Sequence, residues 1–120
     1  ILDLHHYPNP SLDFYDAGRA TVLGEYGGIG LALNEHLWEP NHNWGYVKFN
    51  SPEEVTKQYV EYGNDLYRLI SRGFSAAVYT QTTDVEMEVN GLMTYDRKVI
   101  KVNEAQVKAI NTKICNSLNK

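Results

Sequence analysis

The sequence predicts an α/β fold with a parallel sheet, and three observations support that prediction. Two apolar segments with strand patterns, residues 1–6 and 19–25, precede a strongly amphipathic helix pattern. A third strand pattern, residues 74–80, follows that helix, and a second helix pattern begins at Asn103. Strands that alternate with helices favour parallel pairing through right-handed crossovers.

The two helices are the most clearly marked elements. Ser51 is a suitable N-cap for the first helix, because it is followed by proline and, three residues later, by Glu54. Apolar residues then recur at three- and four-residue spacing, and Gly73 is predicted to end the helix. These apolar residues are Val55, Tyr59, Tyr62, Leu66, Leu69 and Ile70. In the second helix, Gln106 is the predicted capping partner near Asn103.

Polar side chains stand where each predicted strand ends. His6 and Tyr7 follow the first strand, Glu25 ends the second, and Tyr79 and Gln81 stand around the end of the third. Polar groups at the carboxyl ends of successive parallel strands mark the active face of a (β/α)8 barrel. An open doubly wound sheet also binds ligands at this edge, but the sequence contains no Gly-rich phosphate-binding motif.

Glu25 lies in the segment Thr21–Gly30, where a short strand pattern leads into a glycine-rich loop. Glycine permits backbone conformations closed to other residues and lets a ligand approach closely. This pattern indicates an acid held at the mouth of a buried strand, with open space around it. The alternative is a solvated glutamate at the end of a surface strand, which is the commoner environment for this residue type.

The segment of residues 27–50 is long for a connection and shows little regular pattern. Segments of this kind are usually functional or disordered, and the presence of Trp38 and Trp44 argues against disorder. Aromatic faces with hydrogen-bonding edges suit the mixed apolar and polar surface of a sugar. Each tryptophan is therefore a candidate stacking platform, and the alternative is that it packs the loop against the domain.

Composition excludes several classes of function. The 120 residues suffice for one domain, and the net charge of −4 without a basic block argues against a nucleic-acid or anionic-lipid surface. There is no apolar run of about 18 residues, so no membrane span is predicted. The single cysteine, Cys115, excludes an internal disulfide framework. Glu35, His36 and His42 fit no zinc spacing, and no metal or other cofactor is predicted.

The chain begins with Ile1 inside a strand pattern. We therefore expect it to be a piece cut from a longer polypeptide, with any leader peptide upstream. The compartment stays open on this basis, and the parent protein could be secreted or periplasmic.

Three segments together resemble glycoside hydrolase family 2, the β-galactosidase, β-glucuronidase and β-mannosidase group. They are Leu23–Gly28 (LGEYGG), Tyr79–Glu86 (YTQTTDVE) and Val89–Arg97 (VNGLMTYDR). The resemblance covers most of the chain and is closest to β-galactosidase-like members. It implies a partial (β/α)8 barrel over residues 1–120, made of about three C-terminal parallel strands with their helices. It also implies a parent enzyme that hydrolyses β-glycosides with retention of configuration.

The resemblance also implies roles for individual residues. Glu25 matches the family's nucleophile, and Tyr7 matches the tyrosine that hydrogen-bonds to the nucleophile. The acid/base glutamate of the family lies on a strand outside this chain, so the fragment alone is expected to be inactive, because retaining hydrolysis needs two carboxyl groups. The further candidates for contact with a sugar are His6, Trp38, Trp44, Tyr79, Gln81 and Asp84.

Two other predictions accompany this hypothesis. The alternative function is a carbohydrate-binding or purely structural domain without chemistry, although such binding modules are usually all-β and this chain has a strong helix pattern. Three strands also leave both edges of a sheet unpaired, and unpaired edges favour self-association.

Overall fold

A computed structural model describes residues 1–119 of the chain. The elements in chain order are β1 (Leu2–His5), β2 (Thr21–Gly27), β3 (Ile29–Gly30), β4 (Val47–Lys48), α1 (Pro52–Ile70), β5 (Phe74–Thr80) and α2 (Glu104–Cys115). Strands β1, β2 and β5 form a parallel sheet in that order, and β3 and β4 form a second parallel sheet.

The prediction of a partial (β/α)8 barrel is wrong. Within residues 1–119 the three-stranded sheet is open at both edges, no helix separates β1 from β2, and four of the five strands precede α1. The second sheet lies in the segment that the sequence analysis predicts to lack regular structure. Parallel pairing requires only a crossover connection, whereas a barrel requires enough strands, with the right tilt and stagger, to close the sheet. The order of strands and helices along the chain therefore does not determine whether the sheet closes into a barrel.

Both predicted helix starts are confirmed. The Ser51 side chain accepts a hydrogen bond from the Glu54 backbone N–H at 3.2 Å, and the Glu54 carboxylate accepts one from the Asn50 N–H at 2.9 Å. At α2, the Asn103 side chain accepts from the Gln106 N–H at 3.0 Å. These bonds satisfy N–H groups that the first turn of a helix leaves without partners.

The core lies between the three-stranded sheet and the two helices. Leu23 and Tyr26 of β2 and Phe74 of β5 form one buried cluster with the apolar face of α1, which contributes Val55, Tyr59, Tyr62 and Leu66. Ile110 of α2 belongs to the same cluster and lies against Gly63 of α1, where any side chain would overlap it. The glycine therefore allows the two helices to approach closely.

The composition of β5 predicts a strand buried on both faces, and this prediction is wrong. Ala77 and Tyr79 pack against the core, but Ser75, Ala76 and Val78 are exposed, the last with 54% of its surface accessible. β5 is an outer strand that pairs only with β2, and its adjacent residues Ser75 and Ala76, which point to opposite faces, are both exposed.

A buried ion pair joins three distant segments of the chain. The Lys101 ammonium group is fully buried and donates to Asp84 Oδ1 at 2.6 Å, to the Leu31 carbonyl at 2.8 Å and to the Val89 carbonyl at 3.0 Å. Burial lowers the pKa of Lys101 and raises the pKa of Asp84, because desolvation disfavours both charged forms. The three hydrogen bonds satisfy every proton of the ammonium group.

Substitution of Lys101 by methionine is expected to lower the free energy of unfolding by about 3–5 kcal/mol, because it leaves the Asp84 carboxylate buried without its partner. Urea unfolding measures this change. Lys98→Met is the matched control, since it alters an exposed lysine of the same segment and should change stability by about 0.5 kcal/mol or less. A loss below about 1 kcal/mol for Lys101→Met would contradict a structural role for the ion pair.

Self-association through the outer strands is the second prediction. Because β1 and β5 each pair with only one neighbour, we expect light scattering to show a molecular mass that rises with protein concentration. Val78→Lys should reduce this association, since charged lysines on an outer strand oppose edge pairing. Ile100→Lys, which changes an exposed residue outside the named strands, should not. A monomer at all concentrations would exclude the prediction.

Candidate functional site

Glu25 lies near the carboxyl end of β2, and both neighbours of β2 run parallel to it. Its side chain is partly exposed and reaches the segment that follows β1. There Tyr7 Oη donates a hydrogen bond to Glu25 Oε2 at 2.7 Å. The structure therefore brings together the two residues that the sequence analysis assigns as nucleophile and partner.

A bulge in β2 separates Glu25 from the core. The pairing of β1 with β2 slips by one residue at Gly24, where any side chain would overlap the Asp3 carboxylate. A bulge leaves its extra residue unpaired and re-aims the side chains that follow. Leu23 and Tyr26 both lie in the core as a result, although they are three residues apart, and Glu25 between them reaches Tyr7 instead.

Tyr7 is held on three sides. Its hydroxyl lies 2.7 Å from Glu25 Oε2 and 2.8 Å from Thr80 Oγ1. Because a tyrosine hydroxyl has one proton and a carboxylate only accepts, the Thr80 hydroxyl donates to Tyr7. The Tyr46 ring stacks on the Tyr7 ring at a centroid distance of 3.6 Å. Burial, with the Glu25 carboxylate adding to its effect, raises the pKa of Tyr7, so the phenol keeps its proton at neutral pH.

The two oxygens of the Glu25 carboxylate have different environments. Oε2 accepts the Tyr7 hydrogen bond, whereas no side chain or backbone group within residues 1–119 donates to Oε1. One oxygen is thus fixed in position while the other is free. A carboxylate in this state can attack an electrophilic carbon or accept a hydrogen bond from a ligand hydroxyl.

The histidine beside Glu25 is His5, whereas His6 is the one predicted from the sequence as a contact to a sugar. His5 Nδ1 lies 3.5 Å from Glu25 Oε2, and its Nε2 lies 3.1 Å from Asp3 Oδ2, so the ring bridges two carboxylates. His6 instead donates from Nδ1 to the Asn9 carbonyl at 2.6 Å. Strand alternation contained the signal, because it places the first histidine on the same face as the tyrosine two residues later.

Trp44 lies next to the Tyr7–Glu25 pair through a second aromatic contact. Its ring meets Tyr46 edge-on at a centroid distance of 5.4 Å, and Tyr46 in turn stacks on Tyr7. Trp44 and Tyr46 are both exposed. Trp44 is predicted from the sequence, whereas Tyr46 is not, since no local pattern distinguishes it from the other tyrosines of the chain.

Tyr79 does not lie at the site, contrary to the sequence prediction. Its ring packs in the core against Tyr26 and Tyr59. Strand alternation gives the reason, because successive side chains point to opposite faces and the next residue, Thr80, is the one that contacts Tyr7.

Gln81 and Asp84 are engaged in contacts within the chain. Gln81 Nε2 donates to Asn90 Oδ1 at 2.7 Å and lies 3.3 Å from Glu88 Oε2, which fixes the segment beside Trp44. Asp84 is buried, bonds to Lys101 and accepts from the Gly91 N–H, so its position does not favour contact with a ligand.

A second anchored group, centred on Asp96, lies where the 31–46 segment meets the 94–97 turn. Asp96 accepts from Thr94 Oγ1 at 2.6 Å, from His36 Nδ1 at 2.8 Å and from the Lys98 N–H at 3.1 Å. These bonds, the Thr94 one first, hold the pKa of Asp96 well below its usual range. Trp38 meets Tyr95 edge-on at 5.6 Å beside this group.

Residues 1–119 contain no group of three or more His, Cys, Asp or Glu side chains placed to hold a metal ion. Neither described helix combines the length and the apolar character needed to span a membrane.

Comparison with known proteins adds no identification, since no family model and no curated protein matches the chain. The resemblance to glycoside hydrolase family 2 therefore stays a prediction from the quoted motifs.

Replacement of Asp96 by asparagine tests the loop anchor through its pH dependence. The depressed pKa means that the ionised carboxylate adds stability above its unfolded value of about 3.9, and that this stability is lost as the pH falls through the folded value. We expect Asp96→Asn to lower the thermal midpoint at neutral pH, with a difference from wild type that narrows below about pH 4. Asp65→Asn, at a site on α1 whose side chain is 46% exposed, is the control. A difference that stays constant into the acid range would contradict this prediction.

Proposed function

We propose that this chain carries the nucleophile-bearing part of a retaining β-glycosidase, β-galactosidase-like in its motifs, with Glu25 as the nucleophile and Tyr7 as its partner. One observation carries the proposal. Tyr7 holds Glu25 Oε2 at 2.7 Å and leaves Oε1 free at the carboxyl ends of parallel strands. The three motifs that resemble glycoside hydrolase family 2 give independent support.

The geometry suits the first half of retaining hydrolysis. In such a reaction, one carboxylate attacks the anomeric carbon and a second carboxyl group, about 5–5.5 Å away, protonates the leaving oxygen. Glu25 Oε1 would form the bond to the sugar, while the Tyr7 hydrogen bond to Oε2 fixes the orientation of the carboxylate. His5 Nδ1 lies 3.5 Å from the same oxygen and further restricts the position of the carboxylate. The resemblance places the second carboxyl group outside this chain.

The aromatic residues around Glu25 favour a carbohydrate as the substrate. Trp44 and Tyr46 are exposed beside the Tyr7–Glu25 pair, where a sugar ring could lie against an aromatic face while its hydroxyls reach polar groups. No cofactor is needed, because the reaction requires only carboxyl groups and water.

Sugar binding without chemistry is the second candidate. The same exposed aromatics and the free Glu25 oxygen favour it, since both could recognise a sugar that the chain does not cleave.

Covalent trapping separates the two candidates. A 2,4-dinitrophenyl 2-deoxy-2-fluoro-β-glycoside has a leaving group that departs without protonation, so the missing acid is not required. We expect intact mass spectrometry with the galacto compound, or with its gluco or manno isomer, to show one added fluoroglycosyl group, and peptide mapping to place it on Glu25.

Two variants make this experiment specific. Glu25→Gln should abolish labelling, because an amide cannot act as the nucleophile. Glu88→Gln should keep it, because Glu88 already accepts from Gln81 and stands apart from Tyr7 in the hydrogen-bond network. A label on another residue would exclude the assigned role. Saturable sugar binding without any label would favour the second candidate.

A further inference from the structure

Trp38 is far more exposed than a tryptophan usually is. It has 63% of its surface accessible, and its ring contacts Tyr95, which is itself 36% exposed. Water contact with this much aromatic surface is unfavourable, and exposed apolar surface that persists in a folded protein often marks a binding site. No aromatic contact within residues 1–119 connects this pair with Trp44 and Tyr46.

The exposed pair is held from both sides. The hydrogen bond between His36 and Asp96 joins a residue two before Trp38 to the residue after Tyr95. Asp96 also accepts a hydrogen bond from the hydroxyl group of Thr94, which is fully buried. The rings are therefore presented on an anchored support, which lowers the entropy that a ligand must remove on binding.

Left-handed backbone conformations flank the same support. Glu35 has φ +73° and Arg97 has φ +59°, and neither is glycine. Such conformations cost free energy and persist where the surrounding structure holds them, often at ligand sites. Glu35 lies three residues before Trp38 and Arg97 two residues after Tyr95. The backbone conformation around the Trp38–Tyr95 pair is therefore maintained at a cost in free energy.

The charges near the pair favour a neutral ligand. Glu35 and Glu39 lie along the chain on either side of Trp38, and Asp96, Arg97 and Lys98 follow Tyr95, so groups of both signs border the pair. Carboxylates accept hydrogen bonds from hydroxyl groups, and the basic side chains donate to them. An aromatic surface with acceptors and donors at its border suits a neutral pyranose, with its apolar face against the ring and its hydroxyls at the border.

We propose that Trp38 and Tyr95 bind one neutral sugar unit of an oligosaccharide whose other units lie beside Trp44 and Glu25. This inference rests on the proposed function and specifies its substrate class, because two separate aromatic pairs match an extended chain and not a single sugar.

The two tryptophans allow a direct test by nuclear magnetic resonance. The sequence contains only Trp38 and Trp44, so the indole N–H region shows two signals, which Trp38→Phe and Trp44→Phe assign. The probes are methyl β-galactoside and the β-1,4-linked tetrasaccharides of galactose, glucose and mannose. We expect the monosaccharide to shift the Trp44 signal alone and one tetrasaccharide to shift both.

The outcomes distinguish this inference from the proposed function. If every sugar that shifts the Trp44 signal leaves the Trp38 signal unchanged, sugar binding at the Trp38–Tyr95 pair is excluded, while the proposed site at Glu25 stands. If Trp38 alone shifts, the Trp38–Tyr95 pair binds a sugar that does not extend to Trp44, and the inference is overturned, while covalent trapping on Glu25 decides the proposed function separately. If no sugar shifts either signal, both proposals fail. A Trp38 shift caused by an amphipathic peptide and by no sugar would assign the pair to a protein partner and also overturn the inference.

Affinities of variants add a quantitative test. Trp38→Ala should weaken tetrasaccharide binding roughly 2- to 12-fold, the range expected for one aromatic contact, and leave monosaccharide binding unchanged. Tyr67→Ala is the matched control, because Tyr67 is an aromatic residue of α1 with 38% exposure. It should change neither affinity. An equal loss for both sugars on Trp38→Ala would show a general effect on folding and would contradict the inference.

Discussion

A lysine ammonium group without solvent contact holds together the segments that surround the candidate site. Lys101 donates its three hydrogen bonds to three separate parts of the chain, at Leu31, Asp84 and Val89. Because a buried charge without partners is very unfavourable, none of these parts can move away without a large loss of free energy. Val89 also donates to the Trp44 carbonyl, so the constraint extends to the aromatic residues beside Glu25.

The site itself depends on parallel pairing. Each strand of the larger sheet places one side chain at the same edge: Tyr7 just after β1, Glu25 on β2 and Thr80 at the end of β5. Their mutual distances are therefore set by backbone pairing and not by a mobile loop. The bulge at Gly24 completes the arrangement, because it lets β2 keep its apolar side chains in the core while its carboxylate reaches the tyrosine. A carboxylate with one fixed and one free oxygen is the chemical result.

Two residues at the Tyr7–Glu25 pair are chain neighbours of residues predicted from the sequence. His5, next to the predicted His6, lies beside Glu25, and Thr80, next to the predicted Tyr79, contacts Tyr7. In a strand, one residue is the difference between the two faces of the sheet, so a small error of register reverses the assignment. The barrel was a different kind of error, because the number of strands that close a sheet is not encoded in the pattern of any one strand.

The sequence by itself determined the two helices, and the family resemblance of its motifs named Glu25 and Tyr7 as partners, which a hydrogen bond joins in the structure. The caps at Ser51 and Asn103 and the apolar spacing of α1 are interactions between neighbours, so they can be read from a few consecutive residues. Tertiary structure alone decided that the sheet stays open, that Asp84 is buried against Lys101, and that the exposed aromatics form two separate pairs. These features join residues far apart in the chain, and their free energy depends on register, burial and packing that no local pattern specifies.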